Sequence, residues 1–113
     1  TISELAYSDF ITRELPDNEH FGDLVREKLI YYPTVTRERF RNMGRITALI
    51  DSGKLFEDIG LPPLHPARDR AMICGSQAML TDLAAALDAR NFRVSHRIGE
   101  PGDYVIERAF VEK

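Results

Sequence analysis

The sequence has a single cysteine, no excess of positive charge and no long apolar run, and each of these features argues against a class of protein. Its single cysteine, Cys74, allows no internal disulfide, which favours a reducing, cytoplasmic setting. No apolar run approaches the roughly 20 residues that span a bilayer. The sequence has no basic segment followed by a hydrophobic one, so it predicts no secretory signal. A net charge of −3 argues against nucleic acid or an anionic membrane as the main partner.

What the chain does contain is typical of a folded domain. Of its 113 residues, 43% are hydrophobic and 29% are charged, and that length favours one domain over residues 1–113. Its histidine, aspartate and glutamate residues show no metal-ligand spacing, so no metal site is predicted.

The clearest pattern runs from residue 70 to residue 97 and indicates a strand, a helix and a strand. The apolar run Ala71-Met72-Ile73-Cys74 is interrupted by Gly75 and Ser76. Apolar residues then recur at the three- and four-residue steps of one helix face: Met79, Leu80, Leu83, Ala84, Leu87 and Phe92. Asn91 is the expected stop, and residues 92–95 are predicted to form the next strand, parallel to the first. This βαβ unit predicts an α/β fold with a parallel sheet and helices on both faces.

Weaker patterns flank this unit. The predicted elements are helices over residues 1–15 and 21–28, a strand over residues 29–32 that continues outward through residues 34–36, two short helices that end at Gly53 and Gly60, and a last strand over residues 104–111. A first helix with no strand before it is unusual in an alternating α/β chain. We therefore expect either a fold that begins with a helix or a missing N-terminal part.

Four arginines follow the strand that starts at residue 29: Arg37, Arg39, Arg41 and Arg45. Ligand crevices in α/β sheets lie past the carboxyl ends of strands, and guanidinium groups bind phosphate in a bidentate way. Thr36 adds a hydroxyl donor beside Arg37. We interpret Arg37 and Arg45 as phosphate ligands, and Arg39 and Arg41 as part of a solvated basic loop. A solvated loop remains the alternative for all four.

Cys74, Gly75 and Ser76 also allow two interpretations. They could be a small buried residue, a turn glycine and a helix N-cap without further function. Alternatively, Cys74 lines a site for a flat ring that approaches closely because Gly75 has no side chain. A nucleophilic thiol would need a nearby base, and the spacing pairs neither His65 nor His96 with Cys74, so that role is not favoured.

Several segments, in order, match one known pattern: Tyr31-Tyr32-Pro33-Thr34-Val35-Thr36-Arg37-Glu38, Gly44-Arg45, Gly53-Lys54-Leu55-Phe56, Met72-Ile73-Cys74-Gly75-Ser76, Met79-Leu80, Gly99-Glu100-Pro101-Gly102-Asp103-Tyr104 and Phe110-Val111-Glu112-Lys113. Together they resemble bacterial ferredoxin–NADP reductases. The resemblance covers nearly the whole chain and corresponds to most of the C-terminal NADP(H)-binding domain of that family. It implies a Rossmann-like domain of the ferredoxin reductase type that lacks its first strand.

The resemblance implies a flavoenzyme that transfers electrons between NADP(H) and ferredoxin or flavodoxin through FAD. In the family pattern, Thr36, Arg37 and Arg45 match the residues that hold the 2′-phosphate of NADP. This agrees with the phosphate interpretation of the arginine cluster.

The same resemblance implies roles near the flavin. Cys74 and Gly75 match the Cys-Gly motif beside the nicotinamide, where hydride passes to the flavin, which makes Cys74 the expected catalytic residue. Ala109 and Phe110 match residues that lie against the flavin ring, and Lys113 closes the chain.

The sequence also departs from the family pattern. Neither the N-terminal FAD-binding β-barrel nor the glycine-rich pyrophosphate turn is present, and Gln77 stands where the family commonly has proline. We therefore expect this chain alone to carry out no flavin chemistry and to bind the dinucleotide weakly. The loss of a strand exposes a sheet edge, so we also expect self-association.

Two other functions stay open at this point. One is a stand-alone nucleotide-binding or sensor module that uses Arg37 and Arg45 without redox chemistry. The other is a protein-interaction module whose arginines meet an acidic partner, and its binding would weaken steeply with ionic strength.

Overall fold

The part of the chain that the structure describes contains a parallel sheet of two short strands. In this computed structural model, strand β1 (Ala71–Cys74) pairs in parallel with strand β2 (Tyr104–Glu107). The register sets Ala71 opposite Tyr104 and Cys74 opposite Glu107. The structure thereby confirms an α/β fold with a parallel sheet.

The predicted neighbour of β1 is wrong. Residues 92–95 form no strand beside β1, and only Val94 bridges in parallel to Tyr104 of β2. The chain turns directly after Ser95, whose Oγ lies 2.9 and 2.8 Å from the carbonyl oxygens of Arg97 and Glu100. Gly102 permits this turn, because a Cβ there would lie 2.7 Å from the backbone nitrogen of Ser95. The returning chain, as β2, therefore takes the place beside β1.

The long helix follows β1 as predicted. Helix α4 (Gln77–Asp88) begins after Ser76, whose Oγ accepts a hydrogen bond from the Met79 N–H at 3.3 Å. Its buried side chains are Leu80, Leu83 and Leu87, from the predicted apolar face. Asn91 adopts the left-handed conformation at φ 66°, and the Phe92 N–H donates back to the Leu87 carbonyl at 3.1 Å. The helix is thus followed by a residue in the left-handed conformation, which asparagine tolerates.

The structure describes residues 1–97 and 99–108, which fall into two compact units, Thr1–Leu49 and Ile50–Lys113. The first unit contains a 3₁₀ turn (Ile2–Glu4), a π-helical segment (Phe10–Glu14) and helix α1 (Gly22–Lys28). Helix α2 (Ile46–Ser52) runs across the division. Helix α3 (Lys54–Ile59), β1, α4 and β2 belong to the second unit. Helices α2 and α3 are followed by Gly53 and Gly60, as predicted.

Two predictions in the first unit are wrong. Residues 1–15 do not form one helix, and the apolar side chains of Tyr7 and Phe10 are 72% and 47% exposed, so no burial stabilises a continuous apolar stripe. Residues 29–32 are not a strand, because β-favouring residues need a partner strand, and Leu29 and Ile30 are exposed. The last strand ends at Glu107, and residues 109–111 of its predicted range lie outside the described residues.

No helix in the described ranges 1–97 and 99–108 is long and apolar enough to span a membrane.

Candidate functional site

The four arginines lie on a loop that is closed at its base by backbone hydrogen bonds. We name residues 36–45 the arginine loop. The Val35 N–H donates to the Asn42 carbonyl at 3.1 Å, and the Gly44 N–H donates to the Val35 carbonyl at 3.0 Å. These bonds form a parallel bridge between Val35, which is 3% exposed, and Met43. A buried anchor therefore holds the two ends of the loop side by side.

The bridge places Arg37 and Arg45 near the same end of the loop. Arg37 lies two residues after Val35, and Arg45 lies two residues after Met43, its bridge partner. Because Val35 and Met43 pair, both arginines lie within two residues of the closed base of the loop. Both arginines and Thr36 are exposed. Two guanidinium groups and a hydroxyl at one end of a loop are suited to a multiply charged anion such as a phosphate.

Two further charged groups of the arginine loop, Arg41 and Glu38, have nearby partners. The Arg41 guanidinium lies 4.7 Å from the centre of the Phe40 ring, a cation–π contact on the loop itself. The Glu38 carboxylate accepts a hydrogen bond from the Ile2 N–H. The pKa of Glu4 is lowered by the amino group and hydroxyl of Thr1 and, further, by the charge of Arg37. Acidic side chains therefore lie close to the loop and reduce its positive field.

Cys74, Gly75 and Ser76 form the junction between β1 and α4 in the second unit. Gly75 has φ +151°, in the region that favours glycine, and a Cβ there would lie 2.7 Å from the Met79 sulfur. The close approach that glycine allows is thus made here by the Met79 side chain. Cys74 is exposed and forms no disulfide, so its interpretation as a small buried residue is wrong. An exposed thiol at the carboxyl end of a parallel strand can line a ligand crevice.

Sequence reasoning missed the acidic neighbour of Cys74. Glu107 is its register partner on β2 and is exposed. Neighbouring strands in a sheet lie about 4.8 Å apart. No signal in the sequence could have found this acidic neighbour, because the predicted neighbour of β1 was residues 92–95, whereas the structure pairs β1 with β2. The other predicted flavin-facing residues, Ala109, Phe110 and Lys113, lie outside the described residues.

The sheet face that carries Cys74 also carries apolar side chains. Tyr104 points toward α4, where its hydroxyl donates to Asp88 at 2.7 Å, so the next residue, Val105, faces the opposite side. Met72, opposite Val105, is 77% exposed. These two residues line a groove of about 550 Å³ together with residues 95–97, 99–100, 102 and 106–107.

Comparison by sequence and comparison by structure both find ferredoxin–NADP reductases. No family model matches the chain. The chain is 68% identical over 112 residues to the ferredoxin–NADP reductase of Pseudomonas aeruginosa and 64% identical to that of Azotobacter vinelandii, in each case over 99% of this chain and 43% of the relative. It is 45% identical over 111 residues to a flavodoxin/ferredoxin–NADP reductase of Rhodobacter capsulatus.

A solved structure shares the fold. The crystal structure of a ferredoxin NADP⁺ reductase from Neisseria gonorrhoeae with bound FAD and NADP aligns with a TM-score of 0.60 and 27% identity, over 69% of this chain and 32% of that one. The chain thus spans less than half the length of the curated relatives it matches. The shared sequence and fold, which agree with the resemblance in the sequence motifs, place the chain in the ferredoxin–NADP reductase family.

Proposed function

We propose that this chain is the NADP(H)-binding part of a flavoenzyme that transfers electrons between NADP(H) and ferredoxin or flavodoxin through FAD. The two compact units together form one NADP(H)-binding domain in this proposal. The supporting observation is the bridge between Val35 and Met43, which closes the base of the loop and leaves Arg37 and Arg45 each two residues beyond a bridged residue. A reducing, cytoplasmic setting belongs to the same proposal, since one cysteine allows no internal disulfide.

The arginine loop fits the 2′-phosphate that distinguishes NADP from NAD. Arg37 and Arg45 provide permanent positive charge and paired N–H donors, and Thr36 provides a hydroxyl. Their exposure leaves these donors accessible to a ligand. Binding at this position orients the dinucleotide without any proton transfer.

The junction after β1 fits the nicotinamide end. Cys74 lies on the exposed sheet face at the carboxyl end of β1, and Gly75 beside it leaves room for the Met79 side chain. When bound, the cofactors supply hydride and single-electron chemistry, while the protein supplies binding, orientation and electrostatics. We assign Cys74 and Gly75 to the nicotinamide subsite, and Ala109, Phe110 and Lys113 to contacts with the flavin.

Calorimetric titration of the chain with NADP⁺ and NAD⁺ tests this function. We expect a preference for NADP⁺ that falls about tenfold or more in Arg37→Ala, because a hydrogen bond to a charged group is lost. Arg39→Ala is the matched control, since it removes the same charge from the same loop and should leave the preference nearly unchanged.

Three outcomes would contradict the proposal. Equal affinity for NADP⁺ and NAD⁺ in the unmodified chain would exclude a 2′-phosphate site. Equal losses in Arg37→Ala and Arg39→Ala would indicate general attraction of anions by a basic loop. Salt-sensitive binding of ferredoxin in the absence of nucleotide binding would favour a protein-interaction module instead.

A further inference from the structure

Asn42 differs from every other residue of the arginine loop by being buried. It is 9% exposed, whereas the remaining residues of the loop, all of which the structure describes, are exposed or half-buried. Polar side chains rarely lie buried without a hydrogen-bonding role. Nothing in the sequence motifs marks this position.

The Asn42 side chain completes the base of the loop. Its Nδ2–H donates to the Pro33 carbonyl at 3.0 Å, while the backbone carbonyl of Asn42 accepts the Val35 N–H at 3.1 Å. With the bond from Gly44 to Val35, three hydrogen bonds hold residues 33–35 against residues 42–44. The bond from Nδ2 is the one of the three that a side-chain substitution can remove.

Proline explains why a side chain is needed here. Pro33 has no N–H, so its carbonyl is the one backbone group through which it can form a hydrogen bond. The Asn42 amide extends the pairing by supplying the donor for the Pro33 carbonyl. As a neutral group, it does so without adding a charge among the arginines.

We propose that Asn42 is a positioning residue that sets the spacing of Arg37 and Arg45 for the 2′-phosphate. The two arginines each lie two residues beyond a bridge partner, so their separation depends on the two segments staying in register. Asn42 itself contacts no ligand and acts through the loop base. This inference rests on the proposed function of the arginine loop.

The first test compares two ligands that differ only in the 2′-phosphate, adenosine 2′,5′-bisphosphate and adenosine 5′-monophosphate. In Asn42→Ala we expect the preference of the chain for the bisphosphate to fall about fivefold, the equivalent of one hydrogen bond, while affinity for the monophosphate stays constant. Asn18→Ala is the matched control: it also removes an asparagine whose side chain bonds to backbone, through Oδ1 to the N–H groups of His20 and Phe21. It should leave the preference unchanged.

A second test uses the unmodified chain, so it holds even if Asn42→Ala fails to fold. Coupling is reciprocal, so a ligand that needs the loop base must stabilise it. We expect hydrogen exchange of the Val35 and Gly44 amides to slow with the bisphosphate and not with the monophosphate.

The outcomes separate the inference from the function on which it rests. An unmodified chain that prefers the bisphosphate, combined with an unchanged preference in folded Asn42→Ala or with no added protection of the two amides, would overturn the role of Asn42 alone. An unmodified chain without that preference would overturn the phosphate site itself.

Discussion

At the scale of single residues, one buried carboxylate joins three segments of the second unit. Asp103, 8% exposed, accepts a hydrogen bond from the Arg93 N–H at 2.9 Å through Oδ2. Its oxygens also lie 3.5 Å from the Arg70 guanidinium and 3.6 Å from that of Arg93. Because its own carbonyl accepts the Ala71 N–H at 3.1 Å, Asp103 connects the first residues of both strands with residues 92–95.

We expect Asp103 to make the stability of the chain depend on acid pH. The Arg93 N–H, and then the charges of Arg70 and Arg93, lower the pKa of Asp103 from its usual 3.8. A carboxyl whose pKa is lowered on folding stabilises the native state above its unfolded pKa, and this contribution is lost as the pH falls through the folded pKa. The melting temperature should therefore fall as the pH is lowered below about 4, and less steeply in Asp103→Asn.

The control for this prediction is Asp82→Asn, which removes an exposed carboxylate from α4 in the same unit. Its melting curves should keep the acid dependence of the unmodified chain. If Asp103→Asn retains the full dependence as well, other carboxylates are responsible and the role assigned to Asp103 is wrong.

At the scale of elements, a hydrogen bond joins β2 to the last residue of α4. The Tyr104 hydroxyl donates to Asp88 Oδ1 at 2.7 Å, and Tyr104 is 3% exposed. Burial of the hydroxyl and, to a smaller extent, its hydrogen bond to the charged Asp88 raise the pKa of Tyr104 to about 12. This contribution to stability is complete below the unfolded pKa near 10 and is lost as the pH rises through the folded value.

We expect Tyr104→Phe to lower the free energy of unfolding by about 1 kcal/mol at neutral pH, the usual net value of such a bond. The difference from the unmodified chain should disappear as the pH rises from about 10 toward 12. Urea unfolding at a series of pH values measures both effects. Tyr7→Phe, at a tyrosine that is 72% exposed, is the control and should change neither. A difference that persists at high pH would argue against the bond.

The accuracy of the sequence predictions follows the range of the interactions that form each element. Helix α4 was predictable because its signals are local: Ser76 at one end, Asn91 at the other, and apolar residues at helical spacing between them. The strand expected over residues 29–32 was wrong because strand propensity has no effect without a partner. The place of residues 92–95 beside β2 depends on the turn after Ser95, which propensity and periodicity do not specify.

The candidate site shows the same division. Residue types and their position after a predicted strand pointed to Arg37 and Arg45 with Thr36 beside them, since guanidinium and hydroxyl groups suit a phosphate, and the family resemblance implied the same three residues. The closed base from which Arg37 and Arg45 extend depends on the pairing of Val35 with Met43, eight residues apart, and could not be predicted from the pattern. The burial of Asn42 was equally hidden, because asparagine in an arginine-rich segment has the composition of a solvated loop. Long-range pairing, rather than composition, decides such positions.

At the scale of the whole molecule, the sheet explains why we expect copies of this chain to associate. Among the described residues, β1 has one partner strand, β2, so its other edge presents backbone groups that no strand pairs. The same strand exposes Met72 to 77% on the side opposite Tyr104 and α4. An unpaired edge beside exposed apolar surface favours pairing with a second chain.

Sedimentation equilibrium over a range of concentrations measures this association. We expect the average mass to rise above that of the monomer, and Met72→Lys to return it toward the monomer value, because a charge on a strand at a sheet edge opposes pairing. Leu61→Lys adds the same charge at an apolar residue that is 51% exposed and lies outside the sheet, so its association should match that of the unmodified chain. A monomer at all concentrations would show that the edge of β1 does not pair. Equal loss of association in both variants would show that net charge, rather than the sheet, controls it.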